Sequence, residues 1–171
     1  SILSAYFDIK RLKHNLFSGF YIPKSRGSLI NLKNGTKKLT LIDESYNSNP
    51  LSLKFALDKF DKMDSKSKKK IVLLGDMLEL GKYSKKLHIE AAKAINKTNI
   101  NEVYVYGKSI INTFNKIKTQ KRIRILNSKK DILNFMINDI KNGEYLMIKG
   151  SNSTGLNKIS QSLKLGKINA F

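Results

Sequence analysis

The sequence predicts an open α/β fold, a mostly parallel sheet with helices on both of its faces. Three observations lead there. Short apolar runs alternate with stretches in which apolar residues recur at helical spacing. The runs are nearly continuous in apolar residues, as strands are when covered on both sides. The intervening stretches are about ten to fifteen residues long, enough for a crossover between parallel neighbours.

The elements follow in order. LTLIDE (39–44) reads as a buried strand. A helix starts at Pro50, because Asn49 offers a capping side chain and proline tolerates the first helical position. Leu53, Leu57, Phe60 and Met63 form its stripe. KIVLLG (70–75) is the next strand, followed by a helix carrying Leu87, Ala91, Ala94 and Ile95. EVYVYG (102–107) precedes a short helix with Ile110, Phe114 and Ile117. RIRIL (122–126) is a weaker strand, and Ser128 with Asp131 forms a capping box ahead of Ile132, Met136 and Ile140. EYLMIKG (144–150) is the last strand, and 154–164 form a closing helix. SLINLK (28–33) adds an edge strand of antiparallel sense, giving a Rossmann-like sheet of about five or six strands. Residues 1–22 carry a separate amphipathic stripe (Ile2, Leu3, Tyr6, Ile9, Leu12, Leu16) with no strand beside it. They read as the tail helix of a preceding domain, with the boundary near Pro23 and the domain proper over 23–171. Lys66 to Lys70 reads as a solvated loop.

Composition narrows the function. The 171 residues contain no cysteine, which excludes a disulfide scaffold, thiolate metal sites and a cysteine nucleophile. No apolar run approaches the roughly 18 residues that span a bilayer, and no secretory signal is present, so the expectation is a cytoplasmic protein, taken also to be a monomer. Lys plus Arg number 33 against 13 Asp plus Glu, a net charge of +20, yet only Arg11, Arg26, Arg122 and Arg124 are arginine. A nucleic-acid reader favours the arginine fork. Lysines spread over most segments read instead as a solvated surface, and no nucleic-acid partner is expected. His14 and His88 have no metal-ligand spacing. GDMLELGK (75–82) is not a phosphate loop: five residues separate its glycines, and Tyr83 stands where Ser or Thr would hold the metal.

In open α/β sheets ligands bind beyond the carboxyl ends of the strands. Three such ends are rich in small and polar residues: Asp43 to Asn49, Gly75 to Gly81, and Lys149 to Ser153. Asp43 and Asn49 can also serve as helix caps, Gly75, Gly107 and Gly150 as turn glycines, and His88 as a structural residue.

These strings resemble the Mur ligases, in their D-alanyl-D-alanine-adding branch. IDESYNSNP (42–50), VLLGDMLELGKYS (72–84) with Leu87 and His88, IKGSNS (148–153) and KSRG (24–27) stand in the family's order over residues 23–171. The resemblance implies the carboxy-terminal part of a cytoplasmic, ATP-dependent ligase of peptidoglycan synthesis. Such an enzyme joins D-alanyl-D-alanine to UDP-N-acetylmuramoyl-tripeptide through an acyl phosphate. It also implies residue roles. Arg26 approaches the ATP phosphates, and Asp43 holds nucleotide and hinge, with Glu44 its neighbour. Tyr46, Asn47 and Asn49 lie beside the nucleotide. Asp76, Glu79, Lys149, Ser151 and Asn152 face the substrates. The family's phosphate loop and its magnesium ligands belong to a central domain, so ATP and Mg2+ are expected to be held mostly from there, and this chain alone is expected to be inactive. After Ser151 the family's usual Arg and Met-Glu are replaced by Asn152, Ser153, Thr154, Gly155 and Leu156.

Overall fold

A computed structural model describes Ser25 and residues 27–168. The proposed tail helix over 1–22, the boundary at Pro23 and Arg26 lie outside the described residues. Six strands form one sheet: β1 (Ser28–Asn34), β2 (Lys37–Glu44), β3 (Lys70–Gly75), β4 (Glu102–Tyr106), β5 (Arg122–Leu126) and β6 (Tyr145–Lys149). Their spatial order is β1-β2-β6-β3-β4-β5. β1 pairs antiparallel with β2 as an edge hairpin, and all other pairings are parallel. The helices are α1 (Pro50–Lys62), α2 (Ser84–Asn96), α3 (Ile111–Phe114), α4 (Lys129–Asn134) and α5 (Leu156–Lys164).

Alternation along each strand sends neighbours to opposite faces. Ile71, Leu73, Leu146 and Ile148 pack with Ile132 and Phe135 and with Leu156, Ile159 and Leu163 of α5. Val72, Leu74, Val103, Val105 and Met147 pack on the other face with Leu53, Leu57 and Phe60 of α1 and Ala91, Ala92 and Ile95 of α2. β6 is covered by both sets and lies between β2 and β3. The chain leaves β2 and β3 toward the α1/α2 face and leaves β6 toward the α5 face, so a crevice opens at the carboxyl end of β6.

Local chemistry explains the boundaries. Asn49 Oδ1 accepts the Ser52 N–H at 2.8 Å and Ser52 Oγ accepts the Asn49 N–H at 3.0 Å, a reciprocal cap that starts α1. Ser128 and Asp131 start α4 in the same way. The stretch expected to be helical through Ile117 keeps only one α-turn, Ile111–Phe114. The last helix begins at Leu156 rather than 154, because Gly155 takes φ +80° after a tight turn over Asn152–Thr154. α4 gives way to a wider π-turn over Phe135–Asp139, which keeps Phe135 and Met136 in the core. The expected loop Lys66 to Lys70 is one residue too long. Lys70 opens β3, is buried, and donates its ammonium to Asp61 O at 2.5 Å.

Candidate functional site at the carboxyl ends of β2, β6 and β3

The parallel register sets Asp43 beside Ile148 and Glu44 beside Lys149. Because adjacent strand residues face opposite ways, the two carboxylates do different things. Asp43 is fully buried. Its Oδ1 accepts from Ser45 Oγ at 2.6 Å and Ser45 N at 3.1 Å, and its Oδ2 accepts from Ser25 Oγ at 2.7 Å and from Lys164 Nζ. Burial pushes this carboxyl up, but the Lys164 ammonium and the hydroxyls of Ser45, Ser25 and Ser160 outweigh it and hold Asp43 below its ordinary value. Glu44 instead lies 3.6 Å from Lys149 Nζ.

Lys149 is 1% exposed and donates to Asn47 O at 3.0 Å. Burial lowers its pKa, with Glu44 opposing. Ser151 is buried between two loops: its Oγ donates to Ser48 O at 3.3 Å and accepts the Leu78 N–H at 2.9 Å. Its backbone N–H donates to Asp76 O at 3.1 Å. The end of β6 therefore ties the loop after β2 to the loop after β3.

The loop after β3 is held from below. Asp76 accepts the N–H groups of Ile110 at 2.7 Å and Lys108 at 3.1 Å, so both carboxylate oxygens cap the turn leading into α3. A side chain on Gly107 would start 2.5 Å from that carboxylate, and its φ is +137°. His88 is fully buried. Its Nε2 accepts the Met77 N–H at 3.1 Å, and its Nδ1–H donates to Ser84 O at 2.8 Å, which assigns the Nδ1-protonated tautomer. Gly75 and Gly150 bring two strand ends together: a Cβ on Gly75 would sit 2.8 Å from Leu156 Cδ1 and 3.4 Å from Gly150 Cα.

The residues singled out from the sequence thus fall into two layers. Asp43, Asp76, Lys149 and Ser151 form an inner layer whose polar atoms are engaged with protein. Tyr46, Asn47, Asn49, Glu79 and Asn152 form an exposed outer lip. Within that lip Asn49 Oδ1 is committed to the α1 cap, and Asn152 Oδ1 accepts from Asn157 Nδ2. Glu79 takes φ +63°, a left-handed bend at the tip of its loop. Asp43, Asn47 and Lys149 lie together, and Ser25 and Gly27, the neighbours of Arg26 in sequence, both bond to Asp43. Sequence reasoning did not single out Ser25, Ser45, Ser48 or Lys164. The serines stand in strings that were noticed, whereas Lys164 reaches Asp43 from 121 residues away and carries no local signal.

The described residues contain no cluster of three or more His, Asp or Glu side chains able to hold a metal. Asp43 accepts four hydrogen bonds and Asp76 has both carboxylate oxygens occupied by backbone N–H groups. No described helix is long and apolar enough to cross a membrane.

Residues 28–152 match the family described as Mur ligase, glutamate ligase domain. The chain is 31% identical over 149 residues to UDP-N-acetylmuramoyl-tripeptide--D-alanyl-D-alanine ligase of Bacillus subtilis, covering 85% of this chain and 32% of that protein. The chain therefore spans about a third of the length of such relatives. Its fold matches MurF from Acinetobacter baumannii with a TM-score of 0.68 at 20% identity, over 84% of this chain and 30% of that one. It also matches MurF ligase from Thermotoga maritima, solved in complex with ADP, with a TM-score of 0.65 at 20% identity, over 85% of this chain and 31% of that one.

Proposed function

The chain belongs to the Mur ligase family, and from that premise we propose that it follows a central ATP-binding domain and forms one wall of a D-alanyl-D-alanine-adding ligase site. The proposed reaction joins D-alanyl-D-alanine to UDP-N-acetylmuramoyl-tripeptide in the cytoplasm, at the expense of ATP. The observation that carries this reading is the union of three strand-end loops by Lys149 and Ser151. A wall built for substrates needs its loops held in one relative arrangement, and effective positioning contributes several powers of ten to such reactions. The relatives named for this activity add weight.

ATP supplies the phosphoryl group that converts the tripeptide carboxylate into an acyl donor. This chain's residues contribute by orientation. Tyr46 and Asn47 on the lip are placed for the nucleotide, with Arg26 supplying a delocalised cation toward its phosphates. Lys149 holds the Asn47 carbonyl inward, which turns the Asn47 side chain to the lip. Leu78, Glu79 and Asn152 border the space for the amino component. Mg2+ is assigned to the central domain, as the family resemblance implies. Family membership favours this reading over a free-standing nucleotide module or a nucleic-acid-associated protein.

The test joins this chain to the amino-terminal two thirds of a D-alanyl-D-alanine-adding relative and measures phosphate release and the amide product. Release that requires both UDP-N-acetylmuramoyl-tripeptide and D-alanyl-D-alanine, and that is lost in Arg26→Ala, is expected. A joined protein that folds, binds ATP and forms no amide would refute the reading.

A further inference from the structure

Lys164 ends α5 on the face of the sheet opposite α1 and α2, far in sequence from every motif at the rim. Its ammonium nevertheless reaches Oδ2 of Asp43. The same oxygen accepts from Ser25 Oγ at 2.7 Å. Around this oxygen the backbone closes twice more: Gly27 N–H donates to Asp43 O at 2.9 Å and Tyr46 N–H donates to Ser25 O at 3.3 Å. Ser25 is itself buried. Gly27 has φ +81°, and a Cβ there would fall 2.9 Å from Glu44 Oε1, so the turn is seated closely against the end of β2.

We propose that Lys164 is a positioning residue: through Asp43 it fastens Ser25 and Gly27 to the end of β2, and so holds this edge of the rim in register. A carboxylate with no access to water persists only if its charge is matched by donors. Lys164 is the one cation within ion-pair distance of Asp43 among the described residues. Without it the carboxyl takes up a proton or draws in water, and either change disturbs the acceptor that Ser25 uses. The tether to Asp43 stands on these bonds alone. Its consequence for turnover rests on the ligase reading above.

The tether is tested on this chain by amide hydrogen exchange. Gly27 and Tyr46 report the turn, and Val103 and Val105 of β4 serve as remote references. Exchange at Gly27 and Tyr46 is expected to rise about tenfold or more in Lys164→Met, with smaller change at β4, because the turn opens locally. Ser25→Ala cuts the same tether without stranding a charge and gives the same pattern, whereas Lys164→Arg keeps protection near wild type. Unchanged protection at Gly27 and Tyr46 in both Lys164→Met and Ser25→Ala, or an equal rise at all amides, overturns the tether. In the joined ligase, Lys164→Met is then expected to lower kcat with KM for D-alanyl-D-alanine unchanged, and Lys164→Arg to restore it. A joined wild-type protein that makes no amide removes the ligase reading while leaving the exchange result to decide the tether. Active ligase with wild-type kcat in Lys164→Met overturns the positioning role.

Discussion

Two lysine–carboxylate pairs sit one residue apart on β2, and they are mirror images in burial. In the Lys149–Glu44 pair the cation is 1% exposed and the acid 20%; in the Lys164–Asp43 pair the acid is 0% exposed and the cation 23%. Replacing each lysine by methionine therefore has unequal effects. Lys164→Met strands a buried carboxylate, for which breaking a pair typically costs about 3–5 kcal/mol. Lys149→Met removes the buried charge itself. The pair's gross attraction at 3.6 Å is about 5 kcal/mol at an effective dielectric of 20, but the desolvation penalty of the buried ammonium is of similar size and vanishes with it. Glu44 and the Asn47 carbonyl can turn to water, so the net cost is about 1 kcal/mol. Urea unfolding at neutral pH measures both. Acid provides a second reading. Asp43 has a depressed pKa, so its contribution is complete above the ordinary 3.8 and is lost as pH falls through the lower, folded value. Wild type should thus lose stability in acid while Lys164→Met loses less, and the two curves converge. A larger cost for Lys149→Met than for Lys164→Met at neutral pH, or curves that stay parallel into acid, would refute this reasoning.

Other perturbations around the rim have expected outcomes of their own. His88→Ala leaves the Met77 N–H without its acceptor and opens a cavity in place of a fully buried ring, costing about 3 kcal/mol in chemical denaturation and accelerating exchange at Met77. Gly75→Ala drives a methyl toward Leu156 Cδ1, 2.8 Å away, and should cost about 1–3 kcal/mol in a thermal melt. Adding Leu156→Ala should then cost less in that background than in wild type, because the clash is relieved. Lys149 binds its proton more weakly folded than unfolded, so between its depressed pKa and the ordinary 10.5 the unfolded chain holds the extra proton. Stability of wild type relative to Lys149→Met should therefore rise with pH across that window, and a flat difference would contradict the burial of the charge.

Much of the fold was legible because strand runs and helix stripes carry different periods. KIVLLG and RIRIL match their strands residue for residue, and SLINLK does form an antiparallel edge. The boundaries that slipped depend on single contacts. The helix expected through Ile117 is shortened, and its entry is capped by Asp76 from another loop rather than by a neighbour in sequence. Lys70 reads both as the first residue of a strand and as the end of a charged loop; the structure puts it in the strand, buried and held by Asp61 O and the Asn101 side chain, nine and 31 residues away. At the site, sequence located the three strand ends but not the division of labour among their residues. Asp43 and Glu44 are adjacent letters with the same chemistry. Only the pleat sends one into the interior toward Lys164 and the other toward Lys149. The Asn49 side chain has its oxygen in the α1 cap, one of the roles its place before proline already offered.

In the proposed ligase the loops joined at the end of β6 form a substrate-facing wall. Steady-state kinetics of the joined ligase carrying Ser151→Ala tests it most directly, with Ile123→Lys on the distant edge strand as the control. Ser151→Ala frees the Leu78 N–H and the Ser48 carbonyl from their shared hydroxyl and lets the two loops part. The expected result is a rise of about tenfold in KM for D-alanyl-D-alanine, as one to two kcal/mol of positioning is lost, with the protein still folded at the assay temperature and Ile123→Lys unchanged. Equal KM values in Ser151→Ala and wild type would contradict it.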